Sequence, residues 1–265
     1  MTGHVAALYR HPIKGFTPEQ LAHVDVAPGQ GLPFDRLWAV ENGPSGFDPA
    51  APAFVPKQKF TVLMSIPRVA AARTHYEDDT GLLHAQAEGM PVFSGRLVEE
   101  AGRQAFAAWL SKLLPDDDLR GPLRVVTAPG AHRFTDHPQG QVSVVNLASV
   151  RDLSQKMGVE LDPLRFRANL YVEGWEPWVE NEWTGRPMML GWARAEVFKP
   201  IVRCAATHVH PTTAERDLDV VKALFDNYGH MFCGIYLKVT AGGRISRGDA
   251  VTTPDAAPVE TPEWA

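Results

Sequence analysis

One of the two cysteines in the chain, Cys204, lies close to a pair of histidines in the stretch KPIVRCAATHVHP (199–211). A free cysteine is most often a small buried hydrophobic residue, and that is the first interpretation of this position. The second is a zinc site. If the segment is extended, alternate residues share a face, so Cys204, His208 and His210 could point the same way, with a fourth ligand or water completing the site.

The third interpretation is a soft transition metal bound by one thiolate, with a cofactor supplying the other ligands. The neighbouring Arg203 supports it, because a nearby cation favours the thiolate form. RFRAN contains Arg165 and Arg167, which share a face if the segment is a strand, and a buried pair is costly without anionic partners. Lys14 in HPIKG precedes a glycine, where backbone amides and an ammonium can bind phosphate, and Arg36 begins a later strand. Together these residues indicate an anionic, phosphate-bearing metal cofactor.

The composition limits the classes of partner and compartment. The 265 residues carry a formal net charge of -5, which argues against nucleic acid or an anionic membrane as the main partner. Two cysteines fit a reducing cytoplasm better than a disulfide framework. No apolar run reaches the roughly 18 residues of a membrane helix, and the N-terminus lacks the apolar stretch of a secretory signal. We therefore expect a soluble, cytoplasmic protein.

The elements that must position these residues are mostly short strands. Eight segments are β-branched or aromatic and bounded by turn residues: HVAALYR, LAHVDVA, RLWAVEN, LRVVTA, VSVVNLA, ANLYVEG, ARAEVFKPIVRC and GIYLKVT. Helical periodicity occurs at 99–114, 148–158 and 217–229, and the last two end on a glycine suited to a helix C-cap. Many strands with few helices predict a mainly β fold with a β-barrel rather than a parallel α/β sheet.

The polar segment PDDDLRGP (115–122) is the best internal boundary, since it follows a helix and contains Pro and Gly. We expect two β-rich lobes, residues 1–120 and 121–255, with the cofactor site between them. The Pro- and Ala-rich residues 256–265 are expected to form a mobile tail. The chain has no Gly-rich phosphate loop of the nucleotide-binding types.

The order and spacing of several motifs make the chain recognisable. It resembles the MOSC family, named after the C-terminal domain of molybdenum cofactor sulfurase, with the N-terminal β-barrel domain that accompanies it. Nearly the whole chain is covered, and the layout is similar to that of mitochondrial amidoxime-reducing components and bacterial reductases of N-hydroxylated compounds. The resemblance rests on these motifs: YRHPIKG, GLPFDRLWAV, FTDHPQGQVSVVNLASV, RFRANLYVEG, VENEW, VRCAATHVHP and GIYLKVTAGGRISRGDAV.

The resemblance implies a role for each candidate site residue. Cys204 becomes a molybdenum ligand, beside the dithiolene sulfurs of the pyranopterin and oxo groups. Asp136, His208 and His210 are candidates for proton delivery. The expected contacts to the cofactor are Lys14, Gly15, Arg36, Asn146, Arg165, Arg167, Asn169, Arg203 and Thr207.

Three positions depart from the family pattern. Gly15 replaces a common serine and so removes one hydroxyl donor to the cofactor. Ala168 stands where many relatives have proline, which is expected to matter little. His210 replaces an aspartate close to Cys204, so substrate choice or proton delivery is expected to differ.

The function implied by the resemblance is a molybdenum cofactor enzyme that reduces the N–O bond of a small N-hydroxylated substrate. Two cysteines cannot hold an iron–sulfur cluster of the usual four-thiolate kind, so electrons are expected from a separate reductase. The alternative is a molybdenum cofactor carrier or sulfur-transfer module that uses the same Cys204 without reductase turnover. A family member that has lost the cofactor is a third possibility.

Overall fold

The structure, a computed structural model, describes residues 2–140 and 142–252. Within these residues the chain forms fifteen strands, three α-helices and six short 3₁₀ helices. The strands are β1 (Thr2–Arg10), β2 (Glu19–Leu21), β3 (His23–Val26), β4 (Trp38–Asn42), β5 (Arg73–Tyr76), β6 (Leu82–Gln86), β7 (Phe93–Arg96), β8 (Leu123–Thr127), β9 (Val142–Asn146), β10 (Leu170–Glu173), β11 (Pro187–Leu190), β12 (Ala193–Val202), β13 (Phe232–Ala241), β14 (Gly243–Ser246) and β15 (Ala250–Thr252). The α-helices are α1 (Glu100–Leu113), α2 (Leu147–Met157) and α3 (Val220–Tyr228). The 3₁₀ helices are Lys57–Lys59, Pro67–Ala71, Asp116–Asp118, Pro163–Phe166, Val179–Glu182 and Ala205–His208.

Seven strands close into a barrel in the order β10-β9-β13-β12-β11-β15-β1, and β1 pairs back with β10. Alternate residues of these strands point inward, and Val5, Val144, Val197 and Leu237 are completely buried there. Closure satisfies the backbone groups of both edges, which an open sheet would leave exposed. Strands β9 and β10 run parallel, and the crossover that parallel pairing requires contains α2.

A second lobe packs beside the barrel and has its own core. It consists of the antiparallel pair β4–β8, the three-stranded sheet β5–β6–β7 and α1. One face of α1 buries Phe106 and Leu110 against Trp38, Ile66 and Leu97. The structure is thus mainly β, with two β-rich lobes and few helices, as the strand pattern predicted. We call the two parts the barrel lobe and the α1 lobe.

Strand pairing crosses the boundary expected from chain order. The N-terminal strand β1 belongs to the barrel, and β3 pairs with β14 near the other end of the chain. Strand β8, which follows the segment 115–122, pairs with β4 of the α1 lobe. The domain division at residue 120 stays a prediction, and the expected tail 256–265 lies outside the described residues. Within residues 2–140 and 142–252, every helix is too short or too polar to cross a lipid bilayer.

Candidate functional site

A cavity of about 220 Å³ opens where the two lobes meet. The α1 lobe contributes the turn after β1 and the 3₁₀ helix Lys57–Lys59, and the barrel lobe contributes the end of β12 and the segment before β10. Ten of the residues expected at the site line this cavity: Lys14, Gly15, Arg36, Asp136, Arg165, Arg167, Asn169, Arg203, Cys204 and Thr207. Their roles toward a cofactor stay predictions, but the fold brings them to one place.

Cys204 lies between the end of β12 and the 3₁₀ helix Ala205–His208, and it is half-buried. The backbone N–H and the hydroxyl of Thr207 both donate to the Cys204 carbonyl at 3.0 Å, which fixes the backbone. The ammonium of Lys57 donates to the Cys204 sulfur at 3.2 Å. By contrast, Cys233 is fully buried, and burial raises the pKa of its thiol to about 12. Cys204 is therefore the accessible thiol of the pair.

Asp136 joins two lysines at one wall of the cavity. Its carboxylate accepts from Lys14 and, at 3.2 Å, from Lys57, and the Lys14 ammonium also donates to the Phe134 carbonyl at 2.9 Å. Burial opposes ionisation of Asp136. The positive charges of Lys14 and Lys57 outweigh burial and hold the pKa of Asp136 well below the usual range of an aspartate. Burial lowers the pKa of Lys14, and Asp136 offsets this effect only in part. Asp136 is thus a fixed anion among cations.

Arg36 and Arg167 approach each other from the two lobes. Arg36 pairs with Asp35 and also donates to the Arg167 carbonyl at 3.1 Å. Arg167 donates to the Phe16 carbonyl at 2.7 Å, and burial together with Arg36 lowers its pKa to about 10. The segment is not a strand: the 3₁₀ helix Pro163–Phe166 ends on Arg167 with φ of 51°. Both arginines of RFRAN nevertheless line the cavity.

Two further arginines of the cavity lining each have a buried nitrogen without a described hydrogen-bond partner. Arg203 donates to the carbonyls of Cys233 at 2.7 Å and Phe166 at 2.8 Å, but its buried Nη2 has no hydrogen-bond partner among the described residues. Arg165 pairs with Asp217 at 2.6 Å, and its buried Nε also lacks a described partner. Buried donors without partners are rare in folded proteins, and a bound ligand is one explanation for them.

The balance of charge at the cavity fits an anionic ligand. Among the described residues, the single acidic side chain in the lining is Asp136. The cationic lining residues are Lys14, Arg36, Lys57, Arg165, Arg167, Lys199 and Arg203. A buried cation needs an anionic partner or hydrogen-bond acceptors, and among the described residues the Arg167 guanidinium donates to one carbonyl, that of Phe16. The residues present therefore fit a phosphate-bearing group whose metal accepts a thiolate from Cys204.

The two histidines expected to deliver protons do not line the cavity. The 3₁₀ helix Ala205–His208 turns the chain after Cys204, so alternate residues do not share a face as in a strand. The Nε2 of His208 lies 3.2 Å from Asp219. The Nδ1 of His210 accepts from the backbone N–H groups of the next turn, at 3.1 and 3.2 Å. The fold thus places both rings in local contacts away from the cavity lining.

Asn146 also lies outside the cavity lining. Its side-chain oxygen accepts from the Ala148 N–H at 3.0 Å, which caps the start of α2. Its amide donates to Glu180 at 2.9 Å and to the Glu176 carbonyl at 2.8 Å. These hydrogen bonds use the donors and the acceptor of the Asn146 side chain within the protein. The structure therefore shows Asn146 as a helix cap.

The zinc interpretation lacks a ligand set. In the part of the chain that the structure describes, no three His, Cys, Asp or Glu side chains lie close enough to share a metal ion. Structural zinc needs four ligands, and catalytic zinc usually has three from the protein. A lone thiolate that depends on a cofactor for its other ligands fits the geometry better.

Sequence reasoning missed Lys57, which contacts both Cys204 and Asp136. In the sequence it is one of two lysines in VPKQKF, and Lys59 is exposed two residues later. Lys57 reaches the cavity, and Lys59 does not, only because the segment before β5 folds against the barrel lobe. Ser143, Lys199 and Tyr236 also line the cavity without having been predicted.

Comparison with known proteins gives matches along nearly the whole chain. The family model of the MOSC N-terminal beta barrel domain matches residues 2–117, and that of the MOSC domain matches residues 131–252. A molybdenum cofactor sulfurase of Anopheles gambiae is 31% identical over 157 residues, which are 53% of this chain and 20% of the relative. One of Caenorhabditis elegans is 32% identical over 136 residues, which are 50% of this chain and 18% of the relative. The chain thus spans about a fifth of the length of these two relatives.

Among solved structures, the YUAD protein from Bacillus subtilis is 16% identical with a TM-score of 0.46, and the match covers 95% of this chain and 94% of that chain. YiiM from Geobacillus stearothermophilus is 19% identical with a TM-score of 0.37, covering 49% of this chain and 66% of that chain. The two family models together account for both halves of the sequence. The chain belongs to the MOSC domain family, in the arrangement with an N-terminal MOSC beta-barrel domain.

Proposed function

We propose that this protein holds the molybdenum cofactor in the cationic cavity and reduces N-hydroxylated small molecules with electrons from a separate protein. The observation that carries the proposal is the half-buried Cys204 thiol facing a cavity with seven cationic lining residues. When bound, the cofactor would supply two-electron redox chemistry at a metal. The overall conversion takes up two electrons and two protons, breaks the N–O bond, and releases an amine-type product and water.

The residues that would hold the cofactor are those whose ligand or hydrogen-bonding atoms are not fully used by contacts within the protein. Cys204 would supply the thiolate ligand, since its sulfur is reached only by the Lys57 ammonium among the described contacts. The guanidinium of Arg167, which lines the cavity, would bind phosphate or pterin oxygens, and Arg203 would add positive charge from the adjacent wall. Asn169 is already bonded through its oxygen to Ser143 at 2.8 Å, so it would shape the wall.

Asp136 and Lys57, on one wall of the cavity, would determine which groups near Cys204 are protonated. Asp136 is ionised at neutral pH, so it holds the Lys57 ammonium in place and is a poor proton donor. Burial lowers the pKa of Lys57, but Asp136 and Cys204 outweigh it and keep the pKa above its ordinary value. The Lys57 Nζ is therefore a protonated group beside Cys204. It would take the role that the sequence had suggested for His208 and His210.

The test is to express the protein with molybdate, measure molybdenum per chain, and assay turnover. An artificial electron donor with a panel of hydroxylamines and amidoximes is suitable. We expect bound molybdenum and product formation, both of which depend on Cys204. Protein without molybdenum would refute cofactor binding, and molybdenum without turnover would refute the reductase.

A carrier or sulfur-transfer module is the second candidate function. It is favoured by the names of the matched relatives, which are molybdenum cofactor sulfurases. Such a module would use the same Cys204 and the same cationic cavity, so geometry alone treats the two functions alike. The module predicts transfer of bound cofactor or sulfur to an acceptor enzyme, with no consumption of the artificial donor.

A further inference from the structure

A compact group of aromatic and cationic side chains lies beside the cavity, on strands β12 and β13 and in the segment before β9. The Phe198 ring is approached by the Lys199 ammonium at 5.6 Å, the Lys238 ammonium at 4.3 Å and the His137 ring at 5.0 Å. The two ammonium groups therefore lie within about 10 Å of each other. We call these four residues the rim cluster.

Among the described residues, the lysines of the rim cluster stand outside the salt bridges that several cations of the cavity lining make. Lys14 and Arg36 each pair with a carboxylate, as does Arg165. In residues 2–140 and 142–252, no carboxylate lies within 4 Å of the Lys199 or Lys238 ammonium. Aromatic contacts stabilise an ammonium modestly and leave its three donors free. The rim cluster thus presents two ammonium groups outside the described salt bridges, with Glu196 as the register partner of Lys238 on the neighbouring strand.

The rim cluster is continuous with the cavity. Lys199 and His137 line the cavity themselves, together with Tyr236, the register partner of Lys199. All four members are half-buried; Lys199 and His137 reach the cavity, and Phe198 and Lys238 lie behind them, outside its lining. Burial lowers the pKa of His137, and Lys199 and Lys238 lower it further, in keeping with a positive potential here.

We propose that the rim cluster binds the anionic end of the substrate, so that preferred substrates are N-hydroxylated small molecules that carry a carboxylate or phosphate. This inference rests on the proposed function and specifies its substrate class. Lys199, which lines the cavity, would bind the anionic group directly, and Lys238, within about 10 Å of it, would add positive potential. The rest of the molecule would extend toward Cys204. The cations deeper in the cavity would remain available to the cofactor.

The test compares matched compounds that differ only in charge. Turnover of a neutral aromatic amidoxime and of its para-carboxylate analogue is measured with an artificial donor. Binding of the corresponding non-reducible amides, neutral and para-carboxylate, is measured by calorimetry. The variants are Lys199→Ala, Lys238→Ala and the double variant, with Lys199→Arg/Lys238→Arg as the charge-conserving rescue. Lys112→Ala, at an exposed position on α1, is the matched control.

We expect the parent to favour the carboxylate compound, in KM and in Kd. The double variant should weaken carboxylate binding about five- to tenfold, because a partly exposed ion pair typically changes affinity up to about fivefold. Binding of the neutral amide should change much less than binding of the carboxylate amide, with turnover compared per bound molybdenum. The arginine variants should keep the preference, and added salt should reduce it.

Equal binding of the two amides by the parent, or a preference that survives in the double variant, would overturn the rim cluster as an anion site. A selective loss of binding with no turnover of either amidoxime would support the rim cluster and refute the reductase. Variants that slow turnover only with a protein electron donor, with unchanged substrate preference, would assign the lysines to protein docking and overturn the proposal.

Discussion

Cys204 and Lys57 are 147 positions apart in the chain but lie 3.2 Å apart in the structure. At the scale of single residues, the chemistry of the cavity depends on this pair and on Asp136, which the Lys57 ammonium also contacts. Cys204 is a half-buried thiol in contact with an ammonium at the edge of a cavity, so it is open to a ligand. The second cysteine, Cys233, has neither property.

Cys204→Ser should abolish molybdenum retention and turnover, because a hydroxyl stays protonated at neutral pH and is a poor ligand for a soft metal. The free energy of unfolding without cofactor should barely change, since one half-buried atom is altered at a partly open site. The measurements are molybdenum content and chemical denaturation of the parent and the variant.

Cys233→Ser is the matched control for that experiment. Cys233 is fully buried, so a new hydroxyl without a partner should cost about 1–3 kcal/mol of stability. Molybdenum per folded chain should be unchanged. If Cys204→Ser instead lost stability and kept its molybdenum, Cys204 would be a core residue and the ligand assignment would be wrong.

Asp136 gives a prediction of pH dependence. Its folded pKa is lowered, so the stability it contributes is fully present above the usual aspartate pKa and is lost as pH falls through and below that value. Asp136→Asn should be less stable than the parent at pH 7, because Lys14 then lies buried without its carboxylate. The difference should begin to shrink once pH falls below the usual aspartate pKa of about 3.9 and continue to shrink toward the much lower folded pKa, followed by denaturation at several pH values. Asp117→Asn, at an exposed position, should match the parent throughout.

At the scale of elements, local patterns predicted most of the barrel strands and all three helices. Each of the eight predicted strand segments contains a strand, and α2 and α3 end on Gly158 and Gly229 in the left-handed conformation that the C-cap pattern indicates. The sheet β5–β7 was not predicted, because RTHY, LLHAQ and FSGR mix histidine, glutamine and glycine with few β-branched residues.

Site residues that lie in the family motifs could be predicted from the sequence. Residues that reach the site only through packing between the lobes could not. Arg167 and Cys204 were placed by motif, and both line the cavity. His208 and His210 were grouped with Cys204 on the assumption of an extended segment, whereas a 3₁₀ turn separates them. Lys57 carries no local signal, since its contact depends on packing between the lobes.

Gly15 illustrates an element that constrains a site residue. It has φ of 90°, which side-chain-bearing residues rarely adopt, and a Cβ there would lie 2.8 Å from the Thr61 carbonyl oxygen. Gly15→Ser should therefore not restore the hydroxyl donor of relatives. It should lower stability by about 1–3 kcal/mol through strain and contact, measured by chemical denaturation.

Gly15→Ala tests whether the backbone or the hydroxyl is responsible, and it should lose a similar amount. Gly89→Ala is the control for φ alone, because Gly89 has φ of 72° and open space around its Cβ position. A Gly15→Ser variant as stable as the parent would show that the turn can rearrange and that the backbone does not require glycine at this position.

At the scale of the whole molecule, the cavity is a junction that both lobes must complete. Arg36 donates to the backbone carbonyl of Arg167, and Lys57 contacts Cys204. These contacts concentrate positive charge at the junction. The lowered pKa values of Lys14 and Arg167 show that burial disfavours their charged forms. A bound anion should relieve this and hold the two lobes together.

Inorganic phosphate should therefore raise the melting temperature of the cofactor-free protein. At a concentration about a hundredfold above Kd, linkage contributes about 2.7 kcal/mol, which corresponds to an increase of about 5 °C for a chain of this size. Arg167→Ala should lose most of the response, because it removes a half-buried guanidinium that has no carboxylate partner among the described residues. Arg151→Ala should keep the full response, since Arg151 is exposed and pairs with Glu173 away from the cavity. Equal responses of the two variants would place the bound phosphate elsewhere and remove Arg167 from the anion site.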